Sequence, residues 1–213
     1  MTRSIVIGAT GLVGRNVLEQ LADSGDRAIA VVRKPLEDLD RNVEIIEVNF
    51  EEFLINGTLP PCEHIFICLG TTIKKAGSQA AFKKIDFGYN LGLARKGRVA
   101  GATGVSLVSS VGADSNSKNF YLRTKGQLEE AIQQLGFSSV NIYRPGLLIG
   151  VRKEKRFAEQ IGQALAKVVD PLLAGSFSRY RSISARLLAK MMVNRAAGGT
   201  GVQYFYFTDF NCD

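Results

Sequence analysis

The chain has 213 residues, of which 46% are hydrophobic and 22% charged, and its formal net charge is +7. This composition is that of a globular protein and excludes a long disordered chain. Its apolar runs are far shorter than the roughly 20 residues of a transmembrane helix, so we expect no segment that spans a membrane.

The N-terminal residues and the cysteines predict a reducing compartment. Met1 to Ser4 lead straight into an apolar run, without the longer apolar region and cleavage site of a secretory signal. The spacings of the three cysteines match neither a zinc site nor a disulfide framework. We therefore expect reduced thiols, a core position for Cys68, no metal site and a cytoplasmic location.

Apolar runs alternate with helical periodicity along the chain. Runs typical of buried strands are 4–8, 28–32, 43–48, 64–69, 105–109, 140–143 and 202–207. Helical spacing of apolar residues lies between several of them, notably in 12–21, 79–98 and 122–135. This pattern predicts an α/β fold with a Rossmann-type, doubly wound parallel sheet. Residues 1–213 are expected to form one domain, in which residues 150–200 contribute a small helical substrate lobe.

A glycine loop follows the first predicted strand and opens the first predicted helix. Its sequence is Gly-Ala-Thr-Gly-Leu-Val-Gly, from Gly8 to Gly14. Such a loop permits a tight turn, brings backbone N–H groups close to a pyrophosphate and aims a helix N-terminus at its charge. The alternative is a glycine-rich turn that merely packs. The residues expected to contact a dinucleotide here are Gly8, Thr10, Gly11, Leu12, Val13 and Gly14.

Arg33 and Lys34 stand at the end of the second predicted strand. An acidic residue there binds the ribose 2′-hydroxyl of NAD, whereas a basic residue accommodates the 2′-phosphate of NADP. The first carboxylate after this strand is Glu37. The sequence therefore predicts a preference for NADP(H) over NAD(H), with a solvated charge pair as the alternative.

Small residues follow the fourth predicted strand, in Leu69, Gly70 and Thr71. Ligands in open α/β sheets bind at the carboxyl ends of the strands. We therefore expect these three residues to border the cofactor.

A serine pair, a tyrosine and a lysine follow the fifth predicted strand. Ser109 and Ser110 end that strand, and Tyr121 and Lys125 stand four apart, on one face of the next helix. An ammonium beside a phenol favours the phenolate, which would allow Tyr121 to exchange a proton with a carbonyl or hydroxyl group.

In this order the glycine loop, the serine pair, Tyr121 and Lys125 resemble the short-chain dehydrogenase/reductase superfamily. The segments 68–77, 109–114 and 143–146 resemble its atypical, Tat-interacting-protein-like branch. The resemblance implies that Ser110 orients the substrate carbonyl, that Tyr121 is the acid/base and that Lys125 binds the nicotinamide ribose. Ser110 is preferred to Ser109 because it stands two residues before a glycine, as in related S-x-G patterns.

The same resemblance extends to three further positions and fails at a fourth. Pro145 and Gly146 are similar to a turn that contacts the nicotinamide end of the cofactor. Asp86 is similar to a helix position that faces the cofactor, with a surface aspartate as the alternative. Asn49 departs from the aspartate often found after the third strand, which leaves an adenine contact there open.

Two functions of different classes follow from these residues. The first is an NADP(H)-dependent oxidoreductase that acts on a small carbonyl or alcohol substrate, with Tyr121 carrying the proton. The second is an NADP(H)-binding regulatory or sensor protein without turnover, which would act on a protein partner.

Basic residues are concentrated in 144–195, where 11 of the 27 lysines and arginines meet only three of the 20 acidic residues. A solvated surface, an acidic ligand, a nucleic acid and an anionic membrane surface all fit such an excess. Nucleic acid is the weakest of these, because the segment lacks interleaved aromatic residues for base stacking. We assign the segment to an acidic substrate or partner.

Overall fold

A computed structural model describes residues 3–34, 42–150 and 175–211 of the protein. In chain order its helices and strands are β1 (Arg3–Ile7), α1 (Leu12–Asp23), β2 (Arg27–Val32), β3 (Val43–Glu47), α2 (Phe50–Asn56), β4 (His64–Ile67), α3 (Ile73–Ala76), α4 (Gln79–Lys83), a π-helix (Lys84–Tyr89), α5 (Asn90–Val99), β5 (Gly104–Val108), α6 (Phe120–Gln133), β6 (Ser139–Tyr143), β7 (Leu148–Ile149), a 3₁₀ helix (Gly175–Tyr180), β8 (Ile183–Ser184), α7 (Ala185–Ala196), β9 (Gly201–Phe205) and a second 3₁₀ helix (Phe207–Asn211).

Seven strands form one sheet in the order β3-β2-β1-β4-β5-β6-β9. Every pair of neighbours in it is parallel. The carboxyl ends of the strands therefore share one edge. The predicted strands and the parallel sheet are confirmed. A separate parallel pair joins β7 to β8.

Both faces of the sheet are buried under helices. Ile5 and Ile7 of β1 pack on one face with side chains of α2, α5 and α6. Val6 points to the other face, where α1 and α7 pack against each other and against the sheet. Strands covered on both faces need apolar residues at successive positions, which is the pattern of the β1, β2 and β4 sequences. The doubly wound fold is therefore confirmed.

A single π-helical turn, Lys84–Tyr89, joins α4 to α5. It contains Asp86, whose side chain is buried. π-turns are rare and occur mostly as single-turn bulges within α-helices, often at functional sites.

The helical substrate lobe over 150–200 falls only partly within the described residues. Its residues 151–174 lie outside them, whereas residues 183–194 form β8 and most of α7. The division of the chain into a domain and a lobe stays a prediction. Among the residues described, no helix combines the length and the hydropathy needed to cross a bilayer.

His64 starts β4 and is 4% exposed. Its Nε2 lies 2.9 Å from Ser106 Oγ, and its ring centroid lies 4.7 Å from that of Phe66. Burial lowers the pKa of His64 to about 3. His64 is therefore a neutral core residue of the strand and carries no charge for a ligand.

Folding stability is expected to depend on pH through His64, the only histidine of the chain. Because its pKa is lowered in the folded state, its contribution is present above the ordinary pKa of about 6.5 and is lost as the pH falls towards 3. We expect the free energy of unfolding to be about 1 kcal/mol lower at pH 5.5 than at pH 7. Urea unfolding at both pH values measures it. The difference should disappear in His64→Gln, and its persistence there would assign it to the carboxylates.

Candidate functional site

The glycine loop forms a tight turn at the carboxyl end of β1. Gly8 has a φ of 80°, and the Gly11 N–H donates to the Gly8 carbonyl at 2.9 Å. A Cβ atom on Gly8 would lie 2.5 Å from the backbone nitrogen of Leu69, and one on Gly14 would lie 2.4 Å from the Gly8 carbonyl oxygen. No residue with a side chain fits at Gly8 or Gly14 without moving the backbone.

The same loop leaves the N-terminus of α1 open. Gly11 caps the helix in an extended conformation and offers no side chain to its first N–H groups. The first turn contains no carboxylate, and Thr10 and Gly11 are exposed. Backbone donors at an exposed helix N-terminus suit an anionic group.

Arg33 lies beside a groove of about 750 Å³ at the carboxyl end of β2 and β3. Its guanidinium stands 5.8 Å from the ring centroid of Phe50, the first residue of α2, and the side chain is exposed. Lys34 is exposed next to it. Asn49, in the same groove, caps α2 by accepting a hydrogen bond from the Glu51 N–H at 2.9 Å. The oxygen of Asn49 is thus engaged with the protein itself.

A buried ion pair joins Asp86 to Lys125. The Lys125 Nζ lies 2.7 Å from Asp86 Oδ1, and the two side chains are 6% and 0% exposed. The other oxygen of Asp86 accepts a hydrogen bond from the Thr71 N–H at 2.9 Å. The surface aspartate considered as the alternative for Asp86 is therefore wrong.

The π-turn also brings Asn90 to the loop after β4. Its amide nitrogen donates to the carbonyl of Leu69 and to that of Asp86, each at 3.0 Å. A Cβ on Gly70 would lie 3.8 Å from Lys125 Nζ. The predicted residues of this loop thus lie between the glycine turn, which touches Leu69, and Lys125.

Tyr121 is the second residue of α6 and is half-buried. Its ring lies 5.6 Å from that of Phe82, and the Lys125 ammonium lies 5.9 Å from its centroid. The loop after β5 returns onto this end of α6, where the Asp114 N–H donates to the Leu122 carbonyl at 3.2 Å. The fold therefore brings the serine-bearing strand end to the helix of Tyr121 and Lys125.

The two serines have different surroundings. Ser109 is buried, and its hydroxyl donates to the carboxylate of Glu129. Ser110 is half-buried, and its hydroxyl makes a long 3.3 Å bond to the Val111 carbonyl. Of the two hydroxyl groups, that of Ser110 therefore has the weaker hydrogen bond within the protein.

Arg144, the first residue of the basic segment 144–195, directly follows β6, and its guanidinium is paired within the protein instead of facing an acidic ligand. Its Nε donates to Glu129 Oε1 at 3.0 Å, its Nη2 pairs with Oε2, and its Nη1 donates to the Tyr206 hydroxyl at 2.9 Å. The Tyr204 ring covers it at 4.6 Å. Burial disfavours the charged guanidinium, but the hydrogen bonds and charge of Glu129 raise the pKa of Arg144 overall. The positive charge of Arg144 is therefore paired with the Glu129 carboxylate within the protein.

The turn after β6 packs against the segment before β8. The Val111 N–H donates to the Pro145 carbonyl at 3.0 Å. A Cβ on Gly146 would lie 2.4 Å from the Tyr180 carbonyl oxygen, so this glycine is required for packing. The segment 144–195, which we assigned to an acidic substrate or partner, includes Arg152, Lys153, Lys155 and Arg156, and these four residues lie outside the described residues.

We assign no part in this chemistry to Cys68 or to two further cavities. Burial raises the pKa of the Cys68 thiol, which disfavours a reactive thiolate and agrees with a core role. Two further cavities, of about 410 and 360 Å³, open at the amino ends of the strands. None of the predicted site residues lines either of them.

Two residues of the site, Asn90 and Glu129, were missed by the sequence analysis. Glu129 extends the spacing of Tyr121 and Lys125 by four more residues, which places the three on one face of α6. A carboxylate at a position where apolar residues are expected was the available signal, because Leu128 and Ile132 share the buried side of α6. For Asn90, the spacing of four from Asp86 was the corresponding signal.

Solved structures with the same fold include proteins in complex with NAD or NADPH. MoeE5 in complex with UDP-glucuronic acid and NAD has a TM-score of 0.72 at 17% identity, covering 96% of this chain and 76% of that one. UDP-glucose 4-epimerase of Thermotoga maritima gives 0.69 at 16%, with coverages of 96% and 76%. The human epimerase family protein SDR39U1 with NADPH gives 0.63 at 18%, with coverages of 96% and 74%. The short-chain dehydrogenase/reductase resemblance is confirmed for the fold, and the Tat-interacting-protein-like branch stays a prediction.

Sequence relatives include fungal proteins. The chain is 36% identical over 171 residues to "Protein FMP52, mitochondrial" of Debaryomyces hansenii, and the aligned region covers 78% of this chain and 76% of the relative. It is 31% identical over 206 residues to the protein of that name in Candida albicans, with coverages of 92% and 88%. No protein-family profile matches the chain.

The names of these relatives contradict the cytoplasmic location expected from the sequence. That expectation rested on the lack of a secretory signal, which carries no information about import into an organelle. The identity and the coverage of these relatives show that the chain belongs to the FMP52 protein family.

Proposed function

We propose that the protein is an NADP(H)-dependent oxidoreductase that reduces a small carbonyl compound or oxidises the corresponding alcohol. The observation that carries the proposal is the turn at Gly8 and Gly14, where the backbone leaves no room for a side chain beside an open helix N-terminus. A pyrophosphate fits there because the N–H groups of α1 have neither a capping side chain nor a carboxylate in front of them. Hydride transfer is the chemistry that a nicotinamide supplies when bound.

The residues of the carboxyl edge have complementary roles in this proposal. Lys125 binds the ribose and Tyr121 moves the proton at the reacting oxygen, which Ser110 orients by a hydrogen bond. Leu69, Gly70 and Thr71 border the cofactor between the glycine turn and Lys125, and Pro145 with Gly146 borders its nicotinamide end. The relatives in the solved structures that carry NAD or NADPH support a nicotinamide cofactor for this fold.

Turnover is tested directly with the purified protein. We expect a decrease in NADPH absorbance when small aldehydes or ketones are added, and a faster one with anionic substrates if the basic segment steers them. Added salt should weaken this electrostatic attraction, because it screens charges that lie farther apart than a Debye length of about 8 to 10 Å. Oligonucleotides tested in competition serve as the control for general anion binding, and micromolar oligonucleotide binding without an effect of small anions would contradict an acidic substrate.

A regulatory protein that binds NADP(H) without turnover is the second candidate. The Asp86–Lys125 ion pair favours it, because the ammonium proposed to act on the ribose and on Tyr121 already has a buried counter-charge at 2.7 Å. Tight NADPH binding with no reduction of any carbonyl compound in the assay above would support this candidate against the enzyme.

The preference for NADPH is expected to depend on Arg33. Replacing Arg33 with alanine should weaken NADPH binding about ten- to a hundredfold and leave NADH binding unchanged, since charged hydrogen bonds contribute about 1.5 to 3 kcal/mol. Calorimetric titration of both nucleotides measures the effect. Arg27→Ala is the matched control, because Arg27 starts the same strand at the opposite edge of the sheet. Equal affinity of the unmodified protein for NADH and NADPH would contradict the assignment.

A further inference from the structure

Glu129 is the centre of a buried network at the carboxyl edge. Its side chain is 2% exposed, and its carboxylate receives hydrogen bonds from Ser109 and from two nitrogens of Arg144. Ser109 follows β5, Arg144 follows β6, and Glu129 itself belongs to α6. One carboxylate therefore joins two strand ends to the helix that carries Tyr121.

The backbone continues this connection on both sides of Ser110. The Ser109 N–H donates to the Tyr143 carbonyl at 2.8 Å, and the Val111 N–H donates to the Pro145 carbonyl at 3.0 Å. Arg144 is held on its far side as well, because its N–H donates to the Phe205 carbonyl of β9 at 2.8 Å. Ser110 thus lies between two residues whose positions are fixed, one by Glu129 and the other by the turn after β6.

An ion pair of this kind is a poor source of net stability. The cost of removing its charges from water offsets most of their attraction, and apolar side chains of similar volume often stabilise a core as well. A carboxylate that receives several charged hydrogen bonds does supply direction, since each oxygen fixes its donor at a defined angle. The network is suited to holding groups in place.

We infer that Glu129 is a positioning residue, which through Ser109 and Arg144 fixes the strand ends that carry Ser110 and the Pro145–Gly146 turn. The identity of the site that it serves rests on the proposed function, whereas the network itself is independent of any cofactor. Replacing the Glu129 carboxylate should increase the mobility of these two segments. It should weaken the binding of only those ligand groups that contact the two segments.

Amide hydrogen exchange tests the inference without a ligand. In Glu129→Gln, whose amide cannot accept the same set of bonds, we expect exchange about tenfold faster in segments 109–112 and 144–147, the effect of a lost charged hydrogen bond. Glu130→Gln is the matched control, because Glu130 is the next residue of α6, is exposed and bonds Ser115. Unchanged exchange, or an increase spread evenly over the chain, would overturn the inference. If the Gln variant does not fold, Glu129→Asp is measured instead, with a smaller increase expected in the same two segments.

Nucleotide binding separates this inference from the proposed function. We expect Glu129→Gln to weaken NADPH about tenfold and to leave 2′,5′-ADP, which lacks the nicotinamide half, unchanged. An equal loss for both nucleotides would indicate a general structural role and overturn the inference. An unmodified protein that binds neither nucleotide would refute the proposed function instead, and hydrogen exchange would still decide the role of Glu129.

Discussion

Replacing Tyr121 with phenylalanine is expected to lower kcat for carbonyl reduction by about two to four orders of magnitude, the contribution typical of a positioned proton donor. The substitution removes the hydroxyl and keeps the ring that packs at 5.6 Å from Phe82. NADPH affinity should stay nearly constant, because the hydroxyl is proposed to act on the reacting oxygen alone. Steady-state rates and calorimetric titration of the same preparation measure both quantities.

Tyr204→Phe is the matched control for Tyr121→Phe. Tyr204 lies on β9, and its hydroxyl accepts a hydrogen bond from Gln133 at 3.0 Å, at the exposed edge of the sheet. We expect this variant to keep its kcat. If Tyr121→Phe also keeps most of its rate, another group donates the proton, and the regulatory candidate becomes the better account of the site.

The second large effect is expected from the ion pair of Asp86 and Lys125. Lys125→Met should lower the free energy of unfolding by about 3 to 5 kcal/mol, because it leaves the Asp86 carboxylate buried without a counter-charge. Urea unfolding measures this loss. The double variant Asp86→Asn/Lys125→Met removes both charges and should recover a large part of it. Equal stability of the single and double variants would show that the two charges are not coupled.

The same pair affects how the loss of Lys125 is interpreted in activity assays. Lys125→Ala is expected to weaken both NADPH binding and reduction, since its ammonium is proposed to hold the ribose and to act on Tyr121. Because the variant is also destabilised, binding and rate have to be measured where unfolding curves show that it is folded. A folded Lys125→Ala protein with full NADPH affinity would contradict the assignment of the ribose contact.

The fold was predictable from the sequence because its signals are local. A parallel strand buried on both faces needs apolar residues at every position, so Ile5-Val6-Ile7 is recognisable without knowledge of its neighbours. The glycine loop was recognisable for the same reason, since its tight turn requires glycine at fixed positions, Gly8 and Gly14, within a few residues of sequence. The order of the strands has no comparable local signal.

The internal partners of the site were not predictable in this way. Lys125 lies 39 residues from Asp86 in the sequence. The basic segment 144–195, which Arg144 begins, was assigned to an acidic ligand because its charges were counted without partners such as Glu129. Which charges meet is decided by the packing of α6 against the strand ends. The cytoplasmic location was wrong for a different reason, because it was inferred from the lack of a secretory signal, which does not bear on import into an organelle.

The π-turn at Lys84–Tyr89 holds about one residue more than an α-helical turn does, because its hydrogen bonds span five residues instead of four. Deleting one residue from it, such as the exposed Gly88, would let α4 and α5 join as one continuous α-helix, with the side chains of both kept in the core. Asp86 lies within the turn, so its direction relative to Lys125 and to the loop after β4 would change. A change of one residue in length at this point of the helix is therefore expected to affect the ion pair more than the core.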